Sequence, residues 1–247
     1  MSRKLTLATA TGVALMSIGA LAACVPLDEL SASLDYDSAA EEVLLPSGAS
    51  AVPAPVSSDE AAQLLAGVPN GEPGNVHYER DLFGSGWRDT NQSGCDARNE
   101  TLARDLTDVT FEPGTDECVV LTGHLNDPYT GTSIMFERGQ DTSSLVQIDH
   151  VVPLSWAFQQ GASSWAEEQR VQFANDPLNL LAVDGSSNMS KGDSGPSEWL
   201  PEAAGSHCGY ASRFVVILAE HDLPVPSADR TALTDILDSC TGEGADS

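Results

Sequence analysis

Four cysteines downstream of an export leader constrain this fold more than any other feature of the chain. Ser2-Arg3-Lys4 gives a positive start, Leu5 to Leu21 is mostly apolar and uncharged, and small residues follow up to Cys24. A charged start, a short apolar stretch and a small-residue end describe a segment that directs export. The remaining cysteines are Cys95, Cys118, Cys208 and Cys240. In an oxidising compartment an even set reads as disulfides, here two bridges with three possible pairings. The sequence-near pairs Cys95–Cys118 and Cys208–Cys240 are expected. A metal-ligand role is the weaker reading, because no two of the four stand in a C-x-x-C pair.

The leader ends in Leu21-Ala22-Ala23-Cys24, which resembles a bacterial lipobox and would make Cys24 the acylated first residue of the mature chain. Full acylation would anchor the protein on the outer face of the cell membrane; an ordinary signal would leave it secreted. No later apolar run is long enough to cross a bilayer. The chain has 37 acidic and 11 basic residues, and loss of Arg3 and Lys4 with the leader leaves 37 − 9 = 28 negative charges. Such acidity argues against long-range electrostatic capture of nucleic acid and against a basic membrane-surface module. Residues 25–74 carry nine of the acids, no basic residue and six of the 14 prolines, and read as an extended spacer, with a short helix over 59–66 capped by Ser58. Residues 75–247 are expected to form one domain.

Within that domain, Ala97–Leu106 has helical spacing and Cys118–Leu121 reads as a strand. Thr132–Glu137 and Leu145–Val152 have the pattern of a hairpin, with Pro153 stopping the second strand. Leu154–Gln160 and Ser164–Ala174 read as helices, Leu178–Val183 as an extended apolar run, and Tyr210–His221 and Ala228–Asp238 as helices. Strands and helices without regular alternation predict an α+β fold.

The chemistry-bearing stretch starts at Gln147-Ile148-Asp149-His150-Val151-Val152-Pro153, continues through Asn175-Asp176-Pro177-Leu178-Asn179, and ends at Asn188-Met189-Ser190-Lys191. An Asp-His pair at a strand end offers one carboxylate for a cation and one imidazole for a proton. Asn188 and Lys191 share a face if their stretch is helical, so an amide oxygen could meet a hard cation and an ammonium a phosphate. Lys191 is the only lysine after the leader. Each piece alone is common; the ordered set is specific.

These residues resemble the HNH endonucleases, also called ββα-metal nucleases, and more closely an exported bacterial branch related to the C-terminal domain of GmrSD restriction enzymes. Tyr78-x-Arg80-x-x-Phe83-Gly84-x-x-Trp87-x-Asp89, Gly94-Cys95-Asp96-x-Arg98-Asn99, Asp127-Pro128-Tyr129-Thr130-Gly131, Phe173-Ala174-Asn175-Asp176-Pro177, Asn188-x-x-Lys191-Gly192-Asp193 and Trp199-Leu200-Pro201 match that pattern. The resemblance implies a ββα-metal core with added helices. It makes His150 the base that deprotonates water, Asp149 and Asn188 ligands of a divalent ion such as Mg2+, and Lys191 a phosphate contact. Asn179 is the middle asparagine that holds the loop and orients the histidine, with Asn175 as the alternative. The substrate implied is DNA or RNA, cut with little sequence specificity, since no recognition helix accompanies the core.

Asp89-x-Asn91-x-Ser93-Gly94, with Glu100 eleven positions after Asp89, follows the spacing of an EF-hand calcium loop, Ser93 replacing the usual Asp or Asn. A polar turn leading into Cys95 is the plainer reading, because no entering helix is evident. Trp87, Trp156, Trp165 and Trp199 are expected to pack in the interior. Arg80, Arg98, Arg138 and Arg170 could touch phosphate or pair with the abundant acids, and in so acidic a domain pairing is expected; His77, His124, His207 and His221 are expected to be surface or structural. The expected protein is an exported metal-dependent endonuclease with no evident protein partner; the alternative is a non-catalytic, cation-binding envelope lipoprotein on the same fold.

Overall fold

The computed structural model describes residues 52–140 and 142–241. The leader, Cys24 and the first part of the expected spacer lie outside them. Among the described residues no helix is long and apolar enough to cross a membrane.

The fold mixes seven α-helices with five strands in two sheets among those residues. Helix α1 (Ser58–Gly67) begins at the residue expected to cap it, and Ser57 is the cap instead: Ser57 accepts from the Glu60 amide at 3.3 Å, and Glu60 accepts from the Ser57 amide at 3.0 Å. Helix α2 (Ala97–Asp105) is capped by Asp96 and leads into β1 (Leu106–Phe111), which the sequence pattern did not predict. β1 pairs antiparallel with β2 (Val120–Asn126), and β2 with β3 (Ser133–Glu137). Next come β4 (Val146–His150), α3 (Leu154–Gln159), α4 (Glu167–Ala174), β5 (Leu180–Asp184) and α5 (Gly185–Lys191). Two longer helices, α6 (His207–Glu220) and α7 (Ser227–Thr241), finish the described chain.

The expected hairpin between the Thr132–Glu137 and Leu145–Val152 segments does not form. β3 joins β2, while β4 pairs antiparallel with β5, Asp149 facing Leu181 and His150 facing Leu180 in register. The reason lies in burial. Side chains alternate across a strand, and the β4–β5 ribbon separates two cores that need both its faces. Leu181 and Val183 enter a large core with Phe158, Phe173, Phe214 and Ile217. Val146, Ile148, Leu180 and Ala182 enter a smaller one with Leu102, Leu125 and Phe136. A β3–β4 hairpin would leave β5 without a partner for its buried backbone groups.

The expected spacer does not extend to residue 74. Val52, Ala61, Leu65 and Val68 are buried in the large core, and Ser212 on α6 donates its hydroxyl to the Val56 carbonyl at 2.8 Å. Gly209 lets this segment lie against α6, since a side chain there would run into the Val52 carbonyl. Acid and proline content suggested a solvated linker, but its apolar residues form a stripe at helical spacing that α6 and α7 cover.

Both disulfides have the expected pairing. Cys95–Cys118 has a Cα separation of 5.1 Å and ties the start of α2 to the start of β2. Cys208–Cys240 spans 5.9 Å and ties α6 to α7.

Candidate functional site

The β4–β5 ribbon runs straight into two helix starts, and that convergence builds the site. β4 ends at His150, and Pro153 stands three positions on at the N-terminus of α3. Asp184 ends β5 and caps α5 by accepting the Ser187 amide at 2.8 Å. Positive φ at Gly192, +52°, ends α5. An open cleft of about 300 Å3 lies at this junction, lined by Tyr78, Arg80, Gln147, Asp149, His150 and Asn188 among others.

His150 is held on two sides. Its Nε2 lies 2.9 Å from the carbonyl oxygen of Ala174, one of the last carbonyls of α4, which have no partner inside the helix. A carbonyl only accepts, so Nε2 carries the hydrogen and the neutral ring keeps its lone pair on Nδ1. Trp87 stacks on the ring with centroids 5.7 Å apart and planes 15° from parallel. Burial lowers the imidazole from its usual 6.5 to about 4, against a smaller upward pull from the Ala174 hydrogen bond. The ring is therefore neutral at pH 7.

Asp149 is almost wholly buried. Lys191 Nζ donates to its two oxygens at 2.9 and 2.8 Å and to the His150 carbonyl at 2.7 Å, and Tyr129 Oη donates to Oδ2 at 2.5 Å. The expected contact between Lys191 and substrate phosphate is thereby corrected. The ammonium is buried, and all three of its hydrogens point into the protein. Desolvation pulls the Lys191 ammonium below its ordinary value, and Asp149 opposes that pull. The same desolvation pushes the Tyr129 hydroxyl well above its own, helped by Asp149.

Asn179 is fully buried and clamps the two residues after the Asp-His pair. Its Oδ1 accepts from the Val152 amide at 2.8 Å, its Nδ2 donates to the Val152 carbonyl at 3.2 Å, and its carbonyl accepts from the Val151 amide at 2.8 Å. Asn175 takes the other expected duty. It accepts the Arg88 amide at 2.8 Å and donates to the Val171 carbonyl, fixing the chain beside Trp87 and so the stack on His150. Both asparagines are thus structural clamps near the site: Asn179 holds the strand end, Asn175 the chain beside Trp87.

Asn188 donates Nδ2 to Gln147 Oε1 at 2.9 Å, which leaves its Oδ1 available in the cleft. Two oxygens with different attachments therefore reach the same space. Asp149 receives three donors where an ionised carboxylate has about four lone-pair positions, and Asn188 has its amide oxygen open. A small set of hard oxygen donors in an open, wet cleft suits a cation that keeps most of its water, which is the habit of Mg2+.

Gln147, Tyr129 and Trp87 stand in the quoted motifs without a role of their own; they act on Asn188, Asp149 and His150 through contacts visible only in three dimensions, and alternation along β4 sets Gln147 and Asp149 on one face. Arginine pairing also differs from expectation. Among the described residues Arg104–Asp105 is the one arginine ion pair, and Arg138, Arg170, Arg213 and Arg230 instead donate to backbone carbonyls. His221 pairs with Asp176 at 2.9 Å, with Glu220 close by, away from the cleft lining.

The loop from Asp89 to Glu100 folds into a tight turn. Asp89 accepts the Ser93 and Gly94 amides at 3.1 and 2.9 Å, while Asn91 Nδ2 and Ser93 Oγ both donate to Glu100 Oε1, at 2.9 and 2.5 Å. Gly94 has φ +94° and α2 leaves the turn, but no α-helix enters it.

Residues 96–235 match the family model described as GmrSD restriction endonucleases, C-terminal domain. An uncharacterized secreted protein of the fungus Arthroderma benhamiae is 37% identical over 202 residues, covering 77% of this chain and 93% of that protein. No solved structure matches. The matched span runs from the cap of α2 into α7 and contains the ribbon, the clamp asparagines and the whole of α5, and the chain belongs to the GmrSD restriction endonuclease C-terminal domain family.

Proposed function

We propose that the protein is an exported endonuclease that hydrolyses phosphodiester bonds in DNA with a divalent cation, His150 acting as general base. The reading rests on one observation above the others: His150 is pinned through Nε2 to Ala174, so its basic Nδ1 remains unclaimed in the cleft that also contains Asp149 and Asn188. Export follows from the leader pattern and from the secreted relative.

Nδ1 would take a proton from a water molecule as that oxygen attacks phosphorus. The phosphorus–oxygen bond to the sugar then breaks on the opposite side, and the departing oxygen takes up a proton from solvent. The Ala174 carbonyl stabilises the imidazolium that forms, because Nε2–H already points at it. Lys191 and Tyr129 hold the Asp149 carboxyl in place. Asp149 and Asn188 would hold a divalent ion, probed first as Mg2+, which neutralises charge on the phosphate when bound. The loop from Asp89 to Glu100 is first a polar turn leading into Cys95, with a calcium position as the alternative that a calcium titration tests.

Plasmid nicking tests the reading. The wild-type protein should nick supercoiled DNA with Mg2+ and stop with EDTA, and His150→Ala should lower the rate about 10²- to 10⁴-fold without loss of folding. Equal nicking by His150→Ala would move the activity elsewhere, and none by either protein would favour a cation-binding envelope protein.

A further inference from the structure

An acidic nuclease has to hold an anionic substrate, and the basic side chains are accounted for one by one. All nine basic residues after the leader lie among the described residues. Seven are engaged or covered. Lys191 serves Asp149; Arg104, Arg138, Arg170, Arg213 and Arg230 each donate to backbone carbonyls of their own fold at 3.0 Å or less; and Arg98, whose one bond to the Val146 carbonyl is long at 3.5 Å, is set apart by being half-buried and away from the cleft lining. Such guanidinium groups hold loops and strand ends together and have little left for a ligand.

Arg80 and Arg88 remain. Both are exposed. Arg80 has one long bond, from Nη1 to the Gly84 carbonyl at 3.4 Å, and Arg88 has no side-chain partner among the described residues. Their places differ. Arg80 sits on the wall of the cleft with His150, Asp149 and Asn188, close enough for its charge to act on the His150 ring, whereas Arg88 is outside the cleft lining.

We infer that Arg80 is the phosphate anchor of the cleft, gripping a nonbridging oxygen of the substrate strand beside the bond that His150 addresses. This inference rests on the nuclease reading above and takes over the duty expected of Lys191. A planar fork of donors on a solvent-facing side chain matches phosphate geometry. In a chain this negative, a direct contact is needed because the field at long range repels nucleic acid.

The test compares Arg80→Gln, Arg80→Lys and Arg88→Gln by plasmid cleavage in Mg2+ and by binding of a fluorescein-labelled duplex to His150→Ala protein, across a salt series. Arg80→Gln should weaken binding and raise KM about 10- to 100-fold with a smaller change in kcat. Its dependence of log affinity on log salt should flatten by about 0.9, the share of one phosphate contact. Arg80→Lys should recover part of the affinity, and Arg88→Gln, which removes the same charge outside the cleft, should stay within about twofold of the parent. Wild-type-like binding and KM for Arg80→Gln at every salt concentration overturns the inference while leaving the nuclease reading in place. Equal losses in Arg80→Gln and Arg88→Gln also overturn it, since bulk charge would then explain both. Absence of cleavage by the wild type counts against the nuclease reading alone, and the duplex-binding arm still decides Arg80.

Discussion

Two adjacent residues at the end of β4 live in opposite circumstances. Asp149 faces inward, where Lys191 and Tyr129 surround its oxygens. His150 is fixed at one nitrogen and open at the other. The inner half of the site is a buried polar network, rigid because unmade bonds are costly there, in which Asp149 keeps about one lone-pair position toward the cleft. The outer half, comprising His150 Nδ1, Asn188 Oδ1 and the Arg80 fork, keeps capacity for a ligand. The difference teaches that residue type does not assign the chemistry; unclaimed donors and acceptors do.

The sharpest way to break the comparison is to empty the inner half. Lys191→Met leaves the Asp149 carboxylate buried without its cation, and breaking a buried pair from one side costs about 3–5 kcal/mol. At about 2–4 °C per kcal/mol for a chain of this size, the melting temperature should fall by about 6–20 °C. Adding Asp149→Asn to Lys191→Met should restore at least half of the loss, because the unpaired charge is then gone. Thermal denaturation in EDTA reads this without any activity. A fall of less than about 1 kcal/mol would mean that Lys191 is not part of the scaffold.

Lys191 also shows where sequence reading succeeds and stops. Its singularity after the leader set it apart, and the shared face of Asn188 and Lys191 was read only on the condition that their stretch is helical, a condition that α5 meets. Its direction was not, because that depends on Asp149, 42 positions earlier in the chain, taking its charge. The same gap explains the strands. β3 and β4 were legible as strands through alternation, but their partners were not. A hairpin is the local choice, whereas the β4–β5 pairing is decided by two cores assembled from distant segments. Asp149, His150, Asn179 and Asn188 were legible as a set because their order in the chain is itself the motif. Gln147, Trp87 and Arg80 drew less notice, their contribution being a position in space.

Acid probes the outer half. With the folded His150 near 4 and an unfolded imidazole near 6.5, the unfolded chain binds a proton between those values that the folded one refuses. Stability from this residue is therefore fully present above about pH 6.5 and lost as pH falls to about 4, by about 3 kcal/mol in all. Denaturant unfolding at pH 7 and pH 4 should show the wild type losing about that much more than His150→Asn. Cleavage sharpens the same point: kcat/KM should hold level down to about pH 5 and fall near pH 4, well below the limb of an ordinary imidazole. An acid limb at 6.5 would place His150 in water, and the distinction between a half-fixed base and a free one would be lost.

The loop from Asp89 to Glu100 gives the smallest effect and asks whether the inner-versus-outer distinction extends beyond the cleft. Its side chains already bond one another, as in the inner half, yet Glu100 receives only the Asn91 amide and the Ser93 hydroxyl. A calcium ion would replace those two donors and draw the Asp89, Asn91 and Ser93 oxygens to itself. Extracellular calcium modules bind at about 10⁻⁴–10⁻³ M, so 10 mM calcium should add about 1.4–2.7 kcal/mol. Asp89→Ala should abolish that gain, and in EDTA it should cost about 1–2 kcal/mol, since the Ser93 and Gly94 amides lose their acceptor. A melting temperature that calcium leaves unmoved, together with the full cost of Asp89→Ala, would class the loop with Lys191 and Tyr129: polar groups whose hydrogens are spent inside the fold.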